Sequence, residues 1–116
     1  MATGLFISAT PSTDLLARAD TLLSAECAGG GALRVVFLYA EAAALATPDA
    51  LPESLAMAAR GFAARCRDSG ASLLVCQTAL ERLGLAADPG SAFQTGSLGQ
   101  WFDLLHELDS VRSIGA

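Results

Sequence analysis

The sequence predicts an α/β protein, a mainly parallel sheet of about five strands with helices on both faces, and two observations carry that prediction. Short apolar, β-rich runs alternate with longer segments of helical periodicity, the pattern of strand-helix-strand units. The run Leu33 to Tyr39 is apolar almost throughout apart from Arg34, as expected of a strand covered on both faces. At 116 residues one domain spanning 1–116 is expected, large enough to fold around its own core.

In chain order, Leu5 to Ala9 reads as the first strand. Thr10-Pro11-Ser12-Thr13-Asp14 then offers helix caps and a proline suited to a first turn. Leu15, Leu16, Ala19, Leu22 and Leu23 recur at helical spacing until Gly29-Gly30-Gly31 stops them. The Leu33 strand follows, and after it Ala40 to Pro52 reads as a long irregular loop with an alanine-rich start, the kind of connection that tends to carry function. Glu53 to Arg67 is amphipathic, with Leu55, Ala59, Phe62, Ala63 and Cys66 on one stripe. Ser72 to Val75 is a third strand, Gln77 to Leu83 a short helix closed by Gly84, and Ala92 to Thr95 a fourth strand. After a turn at Gly96 to Gly99, Trp101, Leu104, Leu105 and Leu108 mark a last helix, and Val111 to Ile114 a fifth strand.

Composition excludes whole classes of chemistry. There is no lysine, so a Walker-type phosphate loop and a pyridoxal phosphate Schiff base are both ruled out. A single histidine, His106, rules out sites built on two or three imidazoles. A net charge of −5 and an isoelectric point near 4.5 argue against a nucleic-acid partner. Mean hydropathy is high at +0.46, yet the longest apolar stretch, Ala32 to Ala46, is broken by Arg34 and Glu41 and is too short to span a bilayer. With no basic region before its first apolar residues, the chain is expected to be cytoplasmic, its thiols reduced. The high apolar fraction points to oligomerisation.

The three cysteines occupy different settings. Cys27 and Cys66 each end a helical apolar stripe and read as small buried hydrophobes. Cys76 stands where the third strand ends and the Gln77 helix begins, at the carboxyl edge of the sheet, where α/β proteins bind ligands and helix N–H groups favour an anion. The same position also suits a buried strand-end cysteine. No Cys-x-x-Cys pair supplies a resolving thiol, and His106 lies among Asp103, Glu107 and Asp109 as a surface residue. A lone thiolate can still relay sulfane sulfur as a persulfide without a general base. A zinc site from Cys27, Cys66, Cys76 and His106 lacks knuckle spacing, so neither metal nor cofactor is expected.

The segment Leu73-Leu74-Val75-Cys76-Gln77-Thr78-Ala79-Leu80-Glu81-Arg82-Leu83-Gly84-Leu85, with Ser97-Leu98-Gly99-Gln100 and Val35-Val36-Phe37-Leu38-Tyr39, resembles the DsrE family of sulfur-relay proteins. The resemblance implies a three-layer α/β/α fold, assembly into trimers or hexamers, and persulfide transfer through Cys76 from a sulfur-donor to a sulfur-acceptor protein. It also makes Tyr39 and Glu41 neighbours of the site, with Gln77 and Thr78 forming the turn around the thiol. The chain keeps an acid after the aromatic, as Tyr39-Ala40-Glu41, but no glycine there; the family's Gly-Leu-Gly-Gln turn is Ser97-Leu98-Gly99-Gln100. Some family members lack the cysteine and are structural subunits, a role that Cys76 argues against.

Two other classes of function stay open. Ser8 to Thr13 places hydroxyls before a helix N-terminus, as flavodoxin-like domains do around a phosphate, although Pro11 removes a donor and a helix cap explains the same residues. An assembly subunit is the third reading, with Trp101 in the core and Phe102, off its stripe, facing another chain.

Overall fold

The computed structural model describes residues 2–28, 32–86 and 91–115. Its elements are β1 (Ala2–Ile7), α1 (Thr13–Ala28), β2 (Ala32–Leu38), two 3-10 segments (Ala40–Ala46 and Pro48–Ala50), α2 (Glu53–Asp68), β3 (Ser72–Cys76), α3 (Gln77–Arg82), β4 (Gln94–Gly96), α4 (Leu98–Leu105) and β5 (Ser110–Ile114). All pairings are parallel, and the strands lie in the order β4-β3-β2-β1-β5.

Side-chain alternation on β1 assigns the layers. The buried Thr3 hydroxyl meets Glu26 of α1 at 3.0 Å and the Ser110 hydroxyl of β5 at 2.9 Å. One residue on, Gly4 faces the opposite way, under Trp101 and Leu108. So α1 covers one face and α4 the other. Helix α2 joins α1, bound through two hydrogen bonds from the Arg65 guanidinium to Asp20 (2.9 and 2.7 Å). The Asp20 carboxylate holds the Arg65 pKa above its ordinary value. Between the layers lies one core that includes Leu5, Ile7, Val36, Leu38, Leu16, Ala19 and Phe62. Each fully buried large side chain there contributes roughly 1.5–3 kcal/mol over leaving it exposed.

The helical stripes fall where their periodicity puts them. Leu15, Leu16, Ala19 and Leu23 of α1 and Ala59, Phe62 and Cys66 of α2 are buried, while Leu22, Leu55 and Ala63 are half-buried. Ser12 caps α1, its hydroxyl accepting from the Leu15 N–H at 3.0 Å, so the hydroxyl cluster of the first loop is at least partly spent on the helix itself. The side chain of Cys27 and the Gly29-Gly30-Gly31 stop lie outside the described residues.

Several boundaries differ from the sequence reading. Strand β1 runs from Ala2 to Ile7 instead of from Leu5 to Ala9, because Thr3 and Gly4 pair with both β2 and β5 although the glycine carries no β signal. The stretch after β2 is helical: Ala40–Ala46 forms 3-10 turns that bury Ala42, Ala43, Leu45 and Ala46, so small side chains pack it into the core. Gly96 belongs to β4, and the expected turn at Gly96 to Gly99 is instead the start of α4, where Ser97 is the cap. Leu108 packs on the core from beyond the end of α4.

Candidate functional site

The carboxyl ends of β2, β3 and β4 lie side by side, and each delivers one element of a cavity. Strand β3 ends on Cys76, which pairs with Gly96 of β4 and turns directly into α3 as its N-cap, without a side-chain capping bond. Cys76 is only 3% exposed and is one of the residues that border the cavity. Beyond Gly96, Ser97 opens α4 through a reciprocal capping box. Its hydroxyl accepts from the Gln100 N–H at 3.2 Å, while the Gln100 side-chain oxygen accepts from the Ser97 N–H at 2.9 Å. That box fixes the wall made by Ser97 and Leu98.

From β2 comes Tyr39, half-buried, its N–H donating to the Ile7 carbonyl at 2.8 Å and its ring packed beside Phe6 (5.6 Å) and Phe37 (6.5 Å). The Ala42 N–H returns to the Tyr39 carbonyl at 3.1 Å and closes the turn around Ala40 and Glu41. This turn forces Ala40 to φ +52, among the described residues the one non-glycine in the left-handed region. Such a conformation costs a residue with a Cβ about 1–2 kcal/mol. Ala40→Gly is therefore expected to raise the unfolding free energy by about 0.5–1 kcal/mol, the gain reduced by glycine's extra freedom in the unfolded chain. A urea midpoint that stays put or falls would count against this assignment of strain.

Together these residues enclose a cavity of about 340 Å³ bordered by Tyr39, Ala40, Glu41, Cys76, Thr78, Arg82, Leu83, Ser97 and Leu98. The exposure of Glu41, Thr78, Arg82 and Ser97 opens it to solvent. The structure thus brings four of the sequence candidates to one place: Cys76, Tyr39, Glu41 and Thr78. Gln77 is not among the lining residues; it is exposed and donates to the Glu81 carboxylate at 3.3 Å. Sequence reasoning missed Arg82, Ser97 and Leu98. The signal for Arg82 is its i+4 spacing from Thr78, which puts both on one face of α3. For Ser97 the signal is visible only once Cys76 is paired with Gly96.

Charge on the cavity wall is mixed. Arg82 and Glu41 both line it, and among the described residues neither makes an ion pair, although Arg34, Arg60, Arg65 and Arg112 all do. A larger hollow of about 450 Å³, bordered by Asp49, Arg60, Arg67 and Phe93, shares no residue with the first and holds no thiol. Its Arg60 is already paired with Asp49. Cys66 is buried on α2, and His106 is exposed at the end of α4. Among the described residues no three His, Cys, Asp or Glu side chains cluster closely enough to hold a metal ion. Nor is any described helix long and apolar enough to cross a membrane.

The architecture defines the class: a parallel five-stranded sheet between helical layers, a three-layer α/β/α fold, with a cavity bordered by Cys76 at its carboxyl edge. Among solved structures the chain is similar to the ychN protein from E. coli, seen in its crystal structure, with a TM-score of 0.76. The match covers 98% of this chain and 100% of that one at 15% sequence identity, a likeness of fold. No family model matches the sequence, and no curated protein sequence matches it.

Proposed function

We propose that the protein is a sulfur carrier in which Cys76 accepts sulfane sulfur as a persulfide and passes it to a partner thiol. The observation that supports this reading is that Cys76 borders a solvent-open cavity whose wall also holds Arg82, a guanidinium without an ion-pair partner among the described residues. In the loading step the Cys76 thiolate attacks the outer sulfur of a donor R–S–SH, giving Cys76–S–SH and R–S⁻. In the second step the thiolate of an acceptor protein attacks the outer sulfur, and the Cys76 thiolate is restored. One S–S bond forms as one breaks in each step, so neither oxidant nor metal is consumed.

In this reading the chain 1–116 works as one domain in the cytoplasm, as a trimer or hexamer, and hands its sulfur on to an acceptor protein. Phe102, 58% exposed on α4, is the residue we assign to a contact between chains. The alternative of an assembly subunit without sulfur chemistry shares that surface but has no use for the Cys76 cavity.

Intact mass after exposure to a sulfane-sulfur donor tests the proposal. The unaltered chain and the Cys27→Ser/Cys66→Ala variant are expected to gain one reductant-sensitive sulfur, and Cys76→Ser none. A folded chain whose Cys76 takes up no sulfur would favour the assembly role.

A further inference from the structure

We propose that the cavity takes its sulfur from a small amino-acid persulfide of the cysteine type, with Arg82 holding the donor's carboxylate and Glu41 its ammonium group; this rests on the sulfur-carrier reading. The two side chains come from different elements, Glu41 from the 3-10 turn after β2 and Arg82 from the last turn of α3. They border one cavity together with Cys76, yet among the described residues neither pairs with the other or with any third group. Opposite charges that share a wall without neutralising each other match a ligand that carries both signs on separate atoms. An inorganic anion such as thiosulfate would satisfy Arg82 but meet Glu41 with the wrong sign. A cationic thiol would do the reverse.

Size and surroundings agree. About 340 Å³ is at the small end of ligand pockets, with room for one amino-acid persulfide and attendant water but not for a folded donor domain. The hydroxyls of Thr78 and Ser97 on the same wall can accept from an ammonium or donate to a carboxylate. The net charge of −5 also works against a polyanionic donor. With the donor's two charged groups held, its outer sulfur is delivered to the Cys76 thiolate; the S–S bond of the donor breaks, a new one forms at Cys76, and the free amino-acid thiolate leaves.

The test compares loading of the full-length chain, by intact mass over time, from persulfides of cysteine, of cysteamine, which lacks the carboxylate, and of 3-mercaptopropionate, which lacks the ammonium. At limiting donor, cysteine persulfide is expected to load Cys76 about 1.5- to 5-fold faster than either, the factor one solvent-exposed ion pair supplies. Arg82→Gln should erase the advantage over cysteamine persulfide alone, and Arg82→Lys restore part of it. Glu41→Gln should erase the advantage over 3-mercaptopropionate persulfide alone. Equal loading by all three donors overturns the amino-acid donor and leaves the carrier reading standing. Loading by none of them overturns the carrier reading, and this donor with it.

Discussion

Truncating Trp101 to alanine is expected to lower the unfolding free energy by about 3–5 kcal/mol, a large share of the 5–15 kcal/mol a domain of this size has. Trp101, 4% exposed, is the one fully buried residue of α4 and so its anchor to the sheet. Its ring stacks on Phe37 at 5.6 Å and tilts against Phe6 at 5.3 Å, contacts that add to area burial. Alanine leaves a cavity over the strand centre, and neighbouring side chains are too constrained to fill it. Urea unfolding followed by circular dichroism measures the loss, since the variant has no other tryptophan. A cost below about 1 kcal/mol would mean that α4 is held chiefly by its capping box and the half-buried leucines. Because Ser97 and Leu98 begin α4, loosening this helix also opens one wall of the Cys76 cavity.

A valine at Gly4 approaches the same contact from the other side and is expected to cost about 2–3 kcal/mol. A Cβ at Gly4 would lie 2.6 Å from Leu108 Cδ1 and 3.0 Å from the Trp101 ring. The leucine tip can move aside for alanine, the smaller insult. Valine adds two methyl groups against an indole already packed on both Phe6 and Phe37, so α4 must lift. Valine's better strand propensity returns a fraction of a kcal/mol and does not reverse the sign. Tryptophan emission reads the event directly: a red shift with a lower urea midpoint is the expected result. An unshifted spectrum with full stability would show that the helix rides further from β1 than the contact with Gly4 implies.

The strands with β-branched or aromatic runs were legible before the structure, as were the helices with repeating leucines. Leu33 to Tyr39 could hardly be anything but a central strand. Position Gly4 was not legible, since a glycine inside a strand carries no β signal; its purpose, letting Trp101 approach the backbone, exists only in three dimensions. The alanine run at 40–46 read as a loop because it has no large apolar stripe. It is structured because its buried alanines and Leu45 pack it close to β2, β3 and α3. At the site, Cys76 was legible from a local rule, the junction of strand and helix. Arg82 and Ser97 were not, because the first depends on which face of a six-residue helix turns inward and the second on a parallel pairing between β3 and β4. Gln77 illustrates the converse: it adjoins Cys76 in sequence, yet the helix turns its side chain to solvent.

Strand β1 sits inside the sheet, with β2 on one side and β5 on the other, and its hydroxyl contact from Thr3 to Ser110 spans 107 residues of sequence. On the ribosome the two partners therefore emerge far apart in time, roughly 5–20 s at ordinary elongation rates. Throughout that interval the β5-facing side of β1 has no native neighbour, and its backbone N–H and C=O groups are a template for any passing extended segment. The nascent chain thus spends its most aggregation-prone period with its first strand half-dressed. Closure of the sheet by β5 is a long-range event that must wait until residues 110–114 have been made.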